Sequence, residues 1–336
     1  MASNKHWVVA ARPETEVLPE HFELRETPLP ELQHNQILIQ VRWLVLSPPL
    51  RMALTSGGIS RTPIPLGDVM RSTGLGQIAV SRHPDFAEGD LVTGNLGWQE
   101  FLVSDGQGIA AAGDPRGLPE STLLHVLGAG GATAYVGMGE YGKPRVGDTL
   151  VVSAAAGNVG SIVCQLGRLQ GCRVVGIAGS QEKCEWLVNE LGCSSAINYK
   201  SENVAQALAA SCPKGIDIYF DNVGGEVLDT CLGMLRRGAR VVLCGGTSQY
   251  NHDHDWYGPK NYFNLVYQQA TMSGFYIFNF QDQFRTAHDR LAQLIRDAEL
   301  QYAEDIVEGI ENAPGALTRV LSGANFGTQL VRIAES

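Results

Sequence analysis

The 336-residue chain carries 44% hydrophobic and 18% charged residues, the balance of an ordinary globular protein. Its formal net charge of −10 and isoelectric point near 5.3 argue against a nucleic-acid surface or an anionic membrane as partner. Single cores rarely grow past roughly 250–300 residues, so two domains are expected.

No run approaches the length of a transmembrane helix, and the opening residues, MASNKHWVVAARPE, contain no signal-peptide apolar segment. A cytoplasmic protein is expected. Short strands are predicted at Lys5–Arg12 and Phe22–Glu26, broken by Pro13, Pro19, Pro28 and Pro30. Gln36–Trp43 alternates apolar and polar residues as a half-buried antiparallel strand does. Residues 44–66, rich in Pro, Ser and Gly, read as a long loop with one short helix. Further strands follow at Gly74–Val80, Asp90–Thr93 and Trp98–Val103. Many short strands with Gly/Pro turns point to a barrel-like or sandwich-like β domain.

The texture changes near residue 120. Pro119–Glu140 is predicted helical, small-sided at Gly128, Gly130 and Gly131. Thr149–Ser153 is then an apolar, β-branched run of the kind buried on both faces of a sheet. Ala155–Gly160 follows with a Gly-x-x-Gly pair, Gly157 and Gly160, and Ser161–Leu169 has apolar residues at helical spacing. Arg173–Ala178 is a second apolar run. Strand, glycine turn, helix and strand make one βαβ unit, whose glycines let the backbone approach a pyrophosphate at the helix N-terminus.

The end of that second strand bears on the cofactor. An NAD-specific unit usually ends it with Asp or Glu, which bonds the ribose hydroxyls. Here it ends Ile177-Ala178-Gly179-Ser180, and Gln181-Glu182-Lys183 follows. Lys183 would attract a 2′-phosphate and Ser180 could donate to it, while Glu182 points elsewhere. NADP(H) is the expected cofactor; the alternative for Lys183 is an ordinary solvated helix residue.

Alternation continues: helix Glu182–Leu191, strand Ala196–Asn198, helix Asn203–Ala210, strand Ile216–Asp221, helix Glu226–Leu235, strand Ala239–Cys244, strand Thr271–Ile277 and helix Gln283–Ala298. This is the pattern of a doubly wound parallel α/β sheet. Ile306–Ile310 and Leu330–Ile333 return to β texture, so the tail is expected to rejoin the first domain. The expected domains are residues 1–122 with 300–336, and residues 123–299. All seven cysteines lie from Cys164 onward without a CxxC pair, which suggests neither a disulfide framework nor a zinc knuckle.

Several strings resemble the medium-chain dehydrogenase/reductases, and within them the zinc-independent prostaglandin reductases and alkenal double-bond reductases. They are GDTLVVSAAAGNVGSIVCQLGRLQGCRVVGIAGSQEK, Asn198–Lys200 (NYK), Asp217–Gly225 (DIYFDNVGG), Arg240–Gly246, Gly258–Leu265 (GPKNYFNL), Met272–Phe275 (MSGF) and Gly323–Val331 (GANFGTQLV). In the first third, Phe86–Val92 and GWQEF at Gly97–Phe101 match as well. The resemblance implies a Rossmann domain with a discontinuous GroES-like β domain. It also implies that Gly157, Asn158, Val159 and Gly160 cradle the pyrophosphate, with Gly179, Ser180, Lys183 and Tyr199 around the 2′-phosphate. Asn222 would lie at the ribose. Cys244, Gly245, Gly246, Thr247, Ser248 and Tyr250, with Phe275, Tyr276 and Ile277, would line the nicotinamide half, and Asn325 would close over the cofactor from the tail.

Zinc alcohol dehydrogenases of this fold carry a Cys and a Gly-His-Glu string in their catalytic site. The matching place here reads Leu66-Gly67-Asp68-Val69-Met70, and no cysteine precedes Cys164, so the thiolate and imidazole ligands are missing. His252-Asp253-His254-Asp255 could bind a metal, but a solvated loop is the reading taken. Hydride delivery without a Lewis acid suits an α,β-unsaturated carbonyl, whose enolate needs a hydrogen-bond donor. The family's donor tyrosine matches Tyr267, eight residues before Phe275, with Tyr262 and Tyr250 as substitutes; the alternative is a helix residue packed by its ring.

The chain departs from the family pattern at Ser47-Pro48-Pro49-Leu50-Arg51 and at Gly130-Gly131-Ala132, both expected to face substrate. Trp256, Tyr257, Phe278 and Phe280 suggest a bulky hydrophobic enone or enal. A homodimer on the nucleotide domain's sheet edge is expected. The rivals are a quinone reductase or allylic-alcohol dehydrogenase of the same fold, and a non-catalytic NADPH-sensing protein.

Overall fold

The first residues pair into a ribbon, with β1 (Ser3–Val9) antiparallel to β2 (Phe22–Pro28) and Val9 opposite Phe22. These coordinates are a computed structural model that describes residues 3–55, 62–251 and 256–334. The alternating run becomes β3 (Ile37–Leu46), with Ile37, Ile39 and Val41 fully buried. It pairs antiparallel with β4 (Thr73–Ser81). Then come β5 (Leu91–Asn95), β6 (Phe101–Ser104) and the unforeseen β7 (Ile109–Ala111). Of the expected loop 44–66, Pro48–Leu54 is a 3₁₀ turn and residues 56–61 lie outside the described residues.

The long helix predicted from Pro119 is broken. A 3₁₀ turn at Glu120–Leu124 precedes α1 (Ala129–Val136), which gives way to a π-helical turn at Gly137–Gly142. Gly131 explains the first break: a Cβ there would stand 1.9 Å from the carbonyl oxygen of Val126. The chain folds back onto the start of α1 where only glycine fits.

The doubly wound part follows in order: β8 (Thr149–Val152), α2 (Asn158–Leu169), β9 (Arg173–Ala178), α3 (Gln181–Asn189), β10 (Ser195–Asn198), α4 (Val204–Ser211), β11 (Ile216–Asp221), α5 (Gly225–Leu232), β12 (Leu235–Leu243), α6 (Asn264–Tyr267), β13 (Thr271–Gly274) and α7 (Phe284–Arg296). The six strands are all parallel and lie in the order β10-β9-β8-β11-β12-β13. Strand order therefore reverses between β8 and β11, the switch point where such sheets bind ligands. All four residues of β8 and all six of β11 are buried, each apolar side chain contributing about 1.5–3 kcal/mol. Gly167 lets α2 lie close to β8, since a Cβ there would be 2.3 Å from Leu150.

The tail contributes β14 (Glu304–Glu308), α8 (Ala313–Leu321) and β15 (Thr328–Arg332). β15 pairs antiparallel with β3, Leu330 opposite Val45, and β14 lies parallel outside it. The second sheet thus runs β14-β15-β3-β4-β5-β7, with β6 also on β3. Two units result: Met1–Leu124 with Tyr250–His254 and Glu304–Ser336, and His125–Gln249 with Asp255–Ala303. Among the described residues no helix is long and apolar enough to cross a membrane.

Candidate active site

The turn after β8 is built for a close approach. Ala154 holds a left-handed φ of 47°, and Gly157 N–H donates to its carbonyl at 3.0 Å. Gly160 must be glycine because a Cβ would lie 2.3 Å from that same carbonyl oxygen. Gly157 is the N-cap of α2 and offers no side-chain cap. The first-turn N–H groups of Asn158, Val159 and Gly160 have no acceptor inside the helix and stand at its positive end. Asn158 adds a side chain wedged against Gly130, where a Cβ would be 2.4 Å away, and its Oδ1 is buried with no partner in the protein. Uncapped N–H donors, a cradle that a Cβ would fill and an orphaned acceptor fit a dinucleotide pyrophosphate and its sugars.

At the tip of β9, Tyr199 lies against the backbone, since a Cβ on Gly179 would be 2.9 Å from its ring. Ser180 turns out to be the N-cap of α3: its Oγ accepts from Lys183 N at 3.3 Å. That bond uses a lone pair and leaves the hydroxyl proton to donate outward. Lys183 is part-buried and Glu182 exposed. The Lys200 ammonium sits 5.9 Å from the Tyr199 ring centroid, a second cation at the same tip. Burial raises the Tyr199 phenol above its ordinary value.

The ends of β8 and β11 carry a buried polar network. Asp221 is 1% exposed. Its Oδ1 accepts from Tyr219 Oη at 2.7 Å, Ser153 Oγ at 3.1 Å, Val223 N at 3.0 Å and Gly224 N at 2.9 Å. Burial pushes this carboxyl up, with the Gly224 N–H and the Tyr219 hydroxyl opposing. Asn222 donates N–H to Ser153 Oγ at 2.9 Å and Nδ2–H to Ser153 O at 2.7 Å. The next loop is tied to the same turn: Cys244 N and Gly245 N donate to Asp221 O at 2.8 and 3.1 Å, and Thr247 N to Asn222 O at 3.2 Å. Ser248 Oγ reaches Val223 O at 2.7 Å. Gly246 lies within this loop. Burial drives the Cys244 thiol up to about 12.

Past the end of β13, Phe275 stacks on Tyr141 with centroids 5.2 Å apart. Tyr276 is 58% exposed, and Ile277 opens a 3₁₀ run through Gln283. Residues 157–160, 179–183, 199, 222, 244–248 and 275–277 therefore gather along the C-terminal edge of one parallel sheet.

Tyr267 is not among them. Gln268, its neighbour, accepts from Gly238 N at 2.7 Å, and β13 then pairs from Thr271 opposite Arg240 to Gly274 opposite Leu243. Tyr267 thus lies before the N-terminal end of β13, on the opposite edge, and is 71% exposed. The four residues of β13 span about 10 Å at 3.3 Å each. Tyr262 is 57% exposed on the same stretch. Tyr250 and Asn325 belong to the first unit, where Asn325 Nδ2 donates to Gly327 O at 2.9 Å. There too Arg51 is fully buried, its guanidinium donating to Asn251 Oδ1 at 3.0 Å and Thr15 O at 3.1 Å. His252–Asp255 lie outside the described residues. Among the described residues, no group of three or more His, Cys, Asp or Glu side chains could hold a metal ion.

Sequence reasoning passed over Ser153, Asp221 and Lys200. Asp221 stood inside the quoted DIYFDNVGG string and Lys200 inside NYK, so the signal for both was present. Ser153 looked like the last residue of a buried strand.

Residues 5–112 match a family described as the N-terminal domain of oxidoreductase, and residues 158–293 one described as zinc-binding dehydrogenase. The chain is 37% identical to the NADPH-dependent curcumin reductase of Escherichia coli over 98% of this chain and 97% of that protein. The chain belongs to the medium-chain dehydrogenase/reductases, in their zinc-independent reductase branch. It is also 35% identical to rat prostaglandin reductase 1 across 99% of this chain and all of that one. The structure of CurA from Vibrio vulnificus in complex with NADPH superposes with a TM-score of 0.93 at 36% identity, covering 99% of this chain and 100% of that one. An Escherichia coli quinone oxidoreductase shares the fold, with a TM-score of 0.74 at 18% identity.

Proposed function

We propose that this enzyme reduces the carbon–carbon double bond of an open-chain α,β-unsaturated ketone or aldehyde with NADPH. The observation that carries the cofactor is the tip of β9: no acidic residue ends the strand, and Ser180, Lys183, Tyr199 and Lys200 surround it. A 2′-phosphate is favoured there by two cations, where an acid would repel it. Full-length identity to reductases named for curcumin and prostaglandin supports an enone as substrate class.

NADPH, when bound, supplies a hydride to the substrate's β-carbon. The protein's part is to orient and to donate. Residues 157–160 would hold the pyrophosphate and residues 179–183 the 2′-phosphate, and Phe275 on Tyr141 forms a firm wall beyond β13. The enolate oxygen that develops needs an uncharged donor, and a phenol suits at neutral pH.

Tyr267 serves as that donor across a homodimer. β13 is the outermost strand of its sheet. Around it, Phe263, Val266, Tyr267, Met272, Tyr276 and Phe278 are between 37% and 71% exposed. An open strand edge with an apolar collar is a template for pairing. Two copies related by a twofold axis join antiparallel along this edge. Each then brings the N-terminal end of its β13, with Tyr267, to the C-terminal edge of its partner's sheet.

The direct test follows NADPH oxidation with a 2-alkenal, a long-chain enone, a cyclic enone, a benzoquinone and a saturated ketone, with NADH in parallel. Turnover of open-chain enones with NADPH and none of the ketone is expected. Turnover of the quinone alone replaces the reading with quinone reduction. Tight NADPH binding without turnover of any of them replaces it with a sensor.

A further inference from the structure

The network at the switch point does more than close a turn. Ser153 ends the run that leads out of β8, and Asp221 ends β11. Between them, strand order reverses. Asp221 is a buried carboxylate whose four Oδ1 contacts all come from neutral donors: two hydroxyls, from Tyr219 and Ser153, and two backbone N–H groups, from Val223 and Gly224. Burying an anion is costly unless its lone pairs are met in this way. Two of those donors lie in the turn that follows the strand, where Gly224 and Gly225 hold φ of 71° and 59°. The carboxylate therefore dictates the path of residues 222–225.

Asn222 is the residue that this path aims. Its Nδ2–H is committed to Ser153 O at 2.7 Å, and its backbone N–H to the Ser153 Oγ that also donates to Asp221. With one Nδ2–H held by Ser153 O, the amide keeps its oxygen, which can only accept, and one further N–H to meet a ligand. On NADP(H), the hydrogen-bond donors are the ribose hydroxyls and the amino groups of the carboxamide and the adenine. The phosphates carry none. Resting on the NADPH reading above, we propose that Asp221 is a positioning residue: through Ser153 and the 222–225 turn it fixes Asn222 so that Oδ1 accepts a hydroxyl from the ribose on the nicotinamide side.

The inference separates the two halves of the cofactor. NADP⁺ spans both, whereas 2′,5′-ADP carries only the adenosine half with its 2′-phosphate. For Asp221→Asn, measured by calorimetry or intrinsic fluorescence, the Kd for NADP⁺ is expected to rise roughly tenfold, the scale of one charge-assisted bond network lost. The Kd for 2′,5′-ADP should stay within about twofold. Asn222→Ala should show the same split, and the double variant should be no weaker than the weaker single one, because both changes remove one interaction. Ser153→Ala, which keeps the carboxylate and its backbone donors, covers the case in which Asp221→Asn does not fold, and should show the same split at smaller size. Equal loss of both ligands in the folded variants would make the network merely structural and overturn the proposal. So would unchanged NADP⁺ binding. A wild-type protein that binds neither ligand removes the NADPH reading itself, which the wild-type titration reads separately from the variants.

Discussion

Lys183 owes its place to a cap. Ser180 Oγ accepts from Lys183 N, which fixes the first turn of α3 and brings the Lys183 side chain out at the tip of β9. Lys183→Ala should weaken NADP⁺ about tenfold while leaving NAD⁺ nearly unchanged, since only one carries the 2′-phosphate. Lys200→Ala should act in the same direction and less, because its ammonium rides over Tyr199 and both residues are exposed. A titration of both dinucleotides with both variants decides it; equal loss of NAD⁺ would take the cations away from the 2′-phosphate. The cysteines give a second residue-scale prediction. Burial, with Asp148 adding and Arg240 opposing, raises the Cys172 thiol to about 11, and burial raises Cys244 to about 12. A thiol at 11 is about one-thousandth ionised at pH 8, so a thiolate-seeking reagent should label native Cys172 far more slowly than a free thiol. The native state holds these protons longer than the unfolded chain, whose thiols titrate near 8.5. Stability from these groups is therefore intact below about pH 8.5 and falls as pH rises from there toward 11. A melting temperature that climbs over that range would contradict it.

At the level of elements, glycines set the site's shape. Gly160→Ala places a Cβ 2.3 Å from Ala154 O, so the turn must open and dinucleotide affinity should fall by a factor of ten or more. Gly131→Ala meets Val126 O at 1.9 Å and should cost about 1–3 kcal/mol of stability. Gly139→Ala, with nothing within 4 Å, is the control and should stay within about 0.5 kcal/mol in a denaturant titration. The same contacts explain what the sequence shows and hides. β8 and β11 were legible because strands buried on both faces read as unbroken apolar runs. The break before α1 was not, because Gly131 is demanded by a carbonyl from a preceding turn that no periodicity records. β12 begins at Leu235, four residues before the predicted start, through exposed Arg236 and Arg237 and a Gly238 at φ 76°. That stretch has the composition of a turn. α8 was missed because Pro314-Gly315 reads as a loop, although proline is tolerated in a helix's first turn. In the site, the loops at strand ends were visible as glycine and polar strings. What stayed hidden were the groups that act on neighbours in space: Ser153 and Asp221 are 68 residues apart.

For the whole molecule, the proposed twofold pairing along β13 decides which subunit Tyr267 would serve. An eight-residue offset from Phe275 says nothing of sheet direction, and the parallel pairing of β13 with β12 puts that phenol at the far edge. Tyr267→Phe should slow enone reduction about a hundredfold, within the range for a general acid, with NADP⁺ affinity kept. Complementation tells the two geometries apart. Assayed at NADPH well below their weakened Kd, Gly160→Ala subunits lack a working cofactor turn but keep Tyr267, and Tyr267→Phe subunits have the reverse. If the tyrosine acts across the β13 edge, a mixed dimer has one complete site: intact cofactor residues from one copy, phenol from the other. Equal mixing after dissociation makes half the dimers mixed, so about a quarter of wild-type activity should return. If Tyr267 acts within its own chain, every site in every dimer lacks one component and mixing restores nothing. A charge on the collar provides the companion measurement. Val266→Lys with Met272→Lys should shift the protein to monomer in analytical ultracentrifugation and lower turnover while leaving NADP⁺ binding in place, because the cofactor residues lie along the other edge. A monomer that keeps full turnover would remove both the shared site and the tyrosine's role in it.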